Sequence, residues 1–400
     1  MSTRAAALLR KSDQPQRPSL LELFFDLVFV FALNRVSHRL VEDLTDRGMV
    51  LAEVGETVLL LMAFMSLWFV TAWVTDLYDS ERPQVQLVVY TAMLGALMMA
   101  VAVPQAFGTR GLVFAGSYVA VHIVRGLIIV PPLRGLEAQR RAAGVLLWFS
   151  MSAVPWLVGA FLPDAARAVL WTLALAIDGT ALLLFYPAPW NISSRPKWPV
   201  SPEYISERYR QFFIIALGEL ILTTGSAYSD TSFEEGGAAV AFAVSFATTV
   251  LMFRVYLFKA GQLLPGALSA ARNPAHLIRE AFIAHMLMVV GTVAIAVGYE
   301  IVITHPFGPT NPSWIVAILG GPVLFLAGRS LVEHAVFARV SRSRMIGALL
   351  LVAVSPAMVH VPPLVVAGTA VVVLAGIAVS DAIRAMGKPP EQPSPPGSGR

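Results

Sequence analysis

Thr57-Val58-Leu59-Leu60-Leu61-Met62-Ala63-Phe64-Met65-Ser66-Leu67-Trp68-Phe69-Val70-Thr71-Ala72-Trp73-Val74-Thr75 carries no charged side chain. A helix needs about 20 mostly apolar residues to cross the hydrocarbon core of a bilayer, and this run is of that length. Similar blocks recur along the 400 residues, predicting spans at about 20–38, 54–75, 86–103, 112–130, 143–161 and 167–186. A second set falls at 209–227, 239–258, 280–299, 314–336, 345–359 and 361–382. The first is weak by hydropathy, and the eleventh is short, with Pro356 near its end.

Composition agrees. Apolar residues make up 56% and charged residues 14%, against about 45–50% and about 25% in soluble domains. So few charges could not cover a soluble surface of this size. The expected fold is an all-α polytopic membrane helix bundle of about twelve transmembrane helices.

The net charge of +4 does not point to nucleic acid, because the basic residues sit in short loops between apolar blocks. There are no cysteines, which excludes disulfides, thiolate metal sites and cysteine nucleophiles. The seven histidines show no metal-ligand spacing, so no metal and no cofactor is expected. Loops of about twenty residues cannot hold a soluble catalytic domain, and no catalytic residues are assigned. The partners expected are the lipid bilayer and a small solute or ion, with the oligomeric state left open.

Cytoplasmic loops collect Lys and Arg. With the N-terminus inside, 21 basic residues fall on the cytoplasmic side and five, Arg35, Arg39, Arg47, Arg110 and Arg167, on the other. The expected organisation is a cytoplasmic tail (1–19), a first membrane half (20–186), a cytoplasmic linker (187–208), a second half (209–384) and a disordered tail (385–400). Both termini are cytoplasmic in this reading. Ser80-Glu81-Arg82-Pro83 is echoed by Ala271-Arg272-Asn273-Pro274, and Phe24-Phe25 by Phe212-Phe213, at offsets of about half the chain. Two six-helix halves related in this way would run parallel; chance similarity between apolar segments explains the echo equally well.

Polar residues inside spans are the informative ones, because charge at mid-membrane is costly and ordinarily faces a partner or a hydrated cavity. Glu22 and Asp26 share one face of the first helix, and Asp178 and Glu219 lie mid-helix. Short carboxylates cannot reach the interface, so Asp26, Asp178 and Glu219 are read as lining a transport path. Glu22, Arg254 and His285 are further candidates, Arg254 as a counter-ion to Asp26 or Glu219. Bland readings stand beside these: Arg329–Glu333 as a local ion pair, Arg125 as a snorkelling side chain, and His285 as an interhelical hydrogen bonder. Gly320-Gly321-Pro322 and Pro155 are candidate helix breaks of the kind that line transport sites.

The stretch from Leu21-Glu22-Leu23-Phe24-Phe25-Asp26 to Ala32 resembles the opening signature of the bacterial low temperature requirement A (LtrA) family. Glu207-Arg208-Tyr209, continuing to Leu217-Gly218-Glu219, matches a second motif. A looser third match runs from Arg272-Asn273-Pro274 through His285 to Gly298-Tyr299-Glu300. The resemblance implies a multi-pass bacterial inner-membrane protein associated with growth at low temperature, and places family acids at Glu22, Asp26, Glu207 and Glu219. Residues 251–256 depart from it, with Arg254 where the family tends to Trp. The leading expectation is a secondary transporter, proton-coupled through Asp26 and Glu219 acting together. The alternatives are a cation channel and a membrane-embedded lipid-modifying enzyme.

Overall fold

The computed structural model describes residues 8–10, 18–46, 51–190, 201–231, 236–387 and 391–397. Of the basic residues that set the expected orientation, Arg4, Lys11, Arg17, Arg47, Arg195, Lys197, Lys388 and Arg400 lie outside that set, as do 191–200 of the expected linker.

The protein is all-α, with no strand among the described residues. Among the described residues thirteen α-helices follow in order: α1 (Leu20–Asp46), α2 (Leu51–Leu77), α3 (Pro83–Ala102), α4 (Gly111–Ile129), α5 (Glu137–Ala160), α6 (Asp164–Leu183) and α7 (Pro202–Ser229). Then come α8 (Gly236–Leu257), α9 (Ala260–Ala270), α10 (Pro274–Thr304), α11 (Pro312–Phe337), α12 (Arg342–Val354) and α13 (Pro363–Ala385).

Among the described residues, eleven helical stretches are long and apolar enough to cross a membrane, counting α8 with α9 as one and α12 with the 3-10 turn that follows it. The twelfth, α1, has 27 residues, about 40 Å at 1.5 Å per residue. It falls outside that apolar set, and Glu22, Asp26, Arg35, Arg39, Glu42 and Asp43 all lie along it. Large apolar side chains face outward all along these helices, among them Leu94, Val169, Leu349 and Val372, each at least 63% exposed. Such a surface suits lipid and not water. This is a multi-pass membrane protein.

The chain divides into two compact units, residues 1–36 with 54–208 and residues 37–53 with 209–400. The start of α7 therefore belongs with the first unit. Residues 202–208, expected in a linker, form the first turns of that helix.

Several helix starts have a visible local cause. Ser19 and Glu22 form a capping box at α1: the Glu22 N–H donates to Ser19 Oγ at 3.4 Å, and the Ser19 N–H and hydroxyl donate to Glu22 Oε1 at 3.3 and 2.9 Å. At α7, Ser201 Oγ accepts the Tyr204 N–H at 3.3 Å ahead of Pro202. At α10, Asn273 Oδ1 accepts the His276 N–H at 3.3 Å, with Pro274 in the first turn.

Helix α9 lies in a segment expected to be a loop. Lys259 turns the chain at φ +46°, in the left-handed region, and the path then needs Gly261. A Cβ there would stand 2.4 Å from the Tyr256 carbonyl oxygen. Gly261, Pro265 and Gly266 are what made the segment read as non-helical.

The expected break at Gly320-Gly321-Pro322 is also absent, since α11 runs unbroken through it. Its glycines serve packing. A Cβ on Gly321 would lie 2.8 Å from the Ile295 nitrogen, and one on Gly328 2.5 Å from the Ala284 oxygen. From the other side, a Cβ on Gly291 would lie 2.6 Å from the Phe325 nitrogen. Small residues thus let α10 and α11 approach backbone to backbone, as membrane helices without a hydrophobic drive to associate commonly do. Pro155 likewise lies within a continuous α5.

Residues 391–397, expected to be disordered, carry no helix but are held in the second unit. The Ser394 N–H donates to the Val336 carbonyl at 2.8 Å, and Glu391 pairs with Lys259 at 3.1 Å and with Arg339.

Candidate functional site

The first unit brings the polar residues of two sequence motifs together. Arg208, at the start of α7, grips Asp26 of α1 through two hydrogen bonds, Nη1 to Oδ2 at 2.8 Å and Nη2 to Oδ1 at 2.7 Å. The Trp68 indole of α2 donates to Asp26 Oδ1 at 2.9 Å, and the guanidinium lies 5.5 Å from the centre of a Trp68 ring. Neither charged side chain has any exposure. Glu22, one turn earlier on α1, accepts the Tyr204 hydroxyl and lies 3.9 Å from Arg208 Nε. Tyr204 also meets the Thr75 hydroxyl at 2.8 Å. The result is a buried lock of one ion pair and its hydrogen bonds, joining α1, α2 and α7.

This settles which cation serves Asp26. It is Arg208 and not Arg254, which is exposed on α8 and takes part in no ion pair among the described residues. A fall in hydropathy ahead of α7 makes Arg208 look like a cytoplasmic loop residue in sequence. Glu207 beside it is half-buried. Of the neighbouring motif aromatics, Phe25 is buried at 1% while Phe24 is exposed at 55%, so only one packs inside the unit.

Asp178 of α6 is also buried. Its Oδ2 accepts the Tyr118 hydroxyl of α4 at 2.8 Å, and Tyr118 meets Ser66 of α2 at 3.0 Å.

The second unit holds Glu219 in different surroundings. Its Oε1 accepts the Ser37 hydroxyl at 2.7 Å and the Thr223 hydroxyl at 2.8 Å. Its Oε2 has no hydrogen-bond partner, and the side chain has no exposure. No cation pairs with it among the described residues. Gly218 beside it has open space where a Cβ would stand. Asp26 and Glu219, expected to act together, belong to different units and have unrelated partners.

His285 of α10 makes hydrogen bonds within its own helix and to α8. Its Nδ1 lies 2.7 Å from the Ala281 carbonyl, its Nε2 3.1 Å from the Tyr256 hydroxyl, and its ring stacks on Tyr209 at 4.7 Å. If Nδ1 donates to the carbonyl, Nε2 accepts from Tyr256, which fixes the tautomer.

The Arg329–Glu333 pair is a correction. Arg329 instead caps the end of α8, donating to the carbonyls of Val255 at 2.9 Å and Phe258 at 2.5 Å. Glu333 pairs with Arg344 at 2.7 Å, Arg344 with Asp381 at 2.7 Å, and Asp381 with Arg384 at 2.7 Å. Asp381 escaped sequence reading because it sits near the end of the last span, where an acid looks interfacial. Arg344 escaped because it looked like a loop residue. No group of three or more metal-ligating side chains occurs among the described residues.

The sequence profile of the family described as bacterial low temperature requirement A protein (LtrA) matches residues 17–379. An uncharacterised protein of Rhizobium meliloti (strain 1021) is 34% identical over 325 residues, covering 80% of this chain and 78% of that protein. No solved structure matches the chain.

Proposed function

This chain belongs to the bacterial low temperature requirement A family, and we propose that it is a proton-linked secondary transporter of a small solute or ion rather than an enzyme. In this reading it sits in the inner membrane with both termini cytoplasmic, and its transport supports growth in the cold.

The observation that carries the proposal is Glu219. A buried carboxyl normally has a cation or a full set of donors, because burying an unpaired charge is costly. Asp26 meets that rule through Arg208. Glu219 does not, having two hydroxyls on one oxygen and none on the other. A carboxyl held this way can take up and release a proton without leaving a buried counter-ion stranded. Asp178, bonded to a tyrosine hydroxyl with no arginine in salt-bridge reach among the described residues, is a second such group. The strong bias of basic residues to alternate loops supports the orientation.

The test uses the full chain reconstituted in liposomes that enclose a pH-sensitive dye. Adding Na⁺, K⁺ or a mixture of amino acids and polyamines outside should change the internal pH for at least one of them. Glu219→Gln should abolish that change in folded protein. Proton movement that persists in the variant, or solute flux without proton movement, would overturn the reading.

A further inference from the structure

The first unit contains a cavity of about 250 Å³ among α2, α4 and α5 and the segment after α6. Its walls are largely apolar, with Val74, Ile129, Val145 and Leu146 among them. Two charged groups are buried in this wall, Asp76 and Arg125, each 4% exposed. Arg125 of α4, expected to snorkel, is only 4% exposed, and neither Nη1 nor Nη2 has a hydrogen-bond partner. Its guanidinium lies 4.9 Å from the centre of the Phe149 ring. Asp178 acts on it only at a distance, since no ion pair among the described residues includes it. His122, one turn earlier, also lines the cavity, and both its ring nitrogens lack partners.

The other charged residues of the lining are engaged. Asp76 accepts the Ser201 N–H at 3.2 Å, Arg10 donates to the Thr75 carbonyl at 3.3 Å, and Arg141 lies 3.6 Å from Glu137. Tyr78 and Tyr186 add phenols to the wall. Burial pushes the Tyr78 hydroxyl up to about 12 and raises that of Tyr186 as well, so both remain neutral.

We infer that this cavity binds a small amphipathic monoanion, an oxyanion head on an apolar body, with Arg125 as the residue that holds the head. A guanidinium presents paired N–H donors that match a carboxylate or phosphate in two parallel bonds, and a flat face that stacks on aromatic rings. Arg125 already has the aromatic contact and lacks the anion. Water could satisfy its N–H groups but would supply no counter-charge inside an apolar wall. The volume lies just below the range of about 300–1,000 Å³ typical of small-molecule sites, which suits a short-chain ligand or one end of a lipid. This site involves neither Glu219 nor its hydrogen-bond partners, so its failure and that of the transport reading can be told apart.

The experiment uses the full chain, washed free of lipid in a non-ionic detergent, with melting followed by tryptophan fluorescence. Decanoate and phosphatidic acid are the anionic probes, and decanol is the neutral control. At saturation at least one anion should raise the melting temperature by about 3 °C, and decanol should not. Response to decanoate alone assigns a soluble carboxylate, and response to phosphatidic acid alone assigns a bilayer lipid. Arg125→Met and the cavity-filling Ala142→Phe should each remove the shift. Arg125→Met without ligand should melt no lower than the parent. The proposal is overturned if neither anion shifts melting, if decanol shifts it equally, or if the shift survives in both variants. A large drop in ligand-free Arg125→Met would also overturn it, because the guanidinium would then have a partner within the chain.

Discussion

Arg208 Nη1 and Nη2 hold both oxygens of Asp26 at 2.8 and 2.7 Å, across 182 residues of sequence and with no exposure on either side chain. A pair this deep is costly to form but more costly to break, since removing one member strands the other. Asp26→Asn should therefore destabilise the protein by about 3–5 kcal/mol. The double variant Asp26→Leu with Arg208→Met should recover most of that loss. Thermal melts of Asp26→Leu, Arg208→Met and the double measure the coupling, and strictly additive losses would show that the pair is not a unit.

Tyr204 closes the same cluster, joining Glu22 of α1 to Thr75 of α2. Tyr204→Phe keeps the ring and removes the hydroxyl, leaving two buried polar groups short of a partner. The expected cost is about 1–3 kcal/mol. Glu22→Gln in the same background should cost less than in the parent, because Tyr204 is already lost as a partner.

How far the sequence reached follows from what each signal measures. Hydropathy found the spans because lipid contact demands apolar runs, and it faltered at α1, where interior charge lowers the average. It also misled at Arg208 and Arg344, which read as loop residues and are buried within 1%. A helix end that turns inward looks the same to hydropathy as one that reaches water. The Ser19–Glu22 capping box was visible in the order of residues as Ser-x-x-Glu, and it gives Glu22 a local structural task that the transport reading overlooked. Asp26 and Glu219 read alike in sequence, as acids in apolar helices. Only the folded chain separates the paired acid from the one without a cation. The Gly-Gly-Pro run in α11 could be read as a break or as a packing face, and periodicity does not distinguish the two.

That run offers an internal control. Gly321→Ala would drive a Cβ to 2.8 Å from backbone of α10, whereas at Gly320 the nearest atom to a Cβ is a Val316 side-chain carbon at 3.9 Å. Gly321→Ala should destabilise by about 1–3 kcal/mol through overpacking. Gly320→Ala should be neutral or stabilising, by up to about 1 kcal/mol of helix propensity. Equal effects in a melting assay would argue against close packing of α10 on α11.

The orientation hinges on whether α1 crosses. If it does, phosphatase fusions after residues 108, 164 and 308 should be active, and those after 80, 137 and 342 inactive. If α1 lies within the cytoplasmic half of the protein without crossing, every one of these signs reverses.

Glu219→Gln separates structure from coupling most directly. The amide oxygen can still accept from Ser37 and Thr223, and no cation loses its counter-charge. Melting should stay within about 1 kcal/mol of the parent, the size of one ordinary hydrogen bond. Glu219→Leu, by contrast, removes the acceptor of two buried hydrogen bonds and should cost about 1–3 kcal/mol. Because the amide cannot exchange a proton, the conservative variant should keep the fold and lose proton-linked transport. Asp26→Asn should lose stability first. A Glu219→Gln protein that melts far below the parent would mean the carboxylate has a charge partner in the folded state, and the coupling role would fall with it.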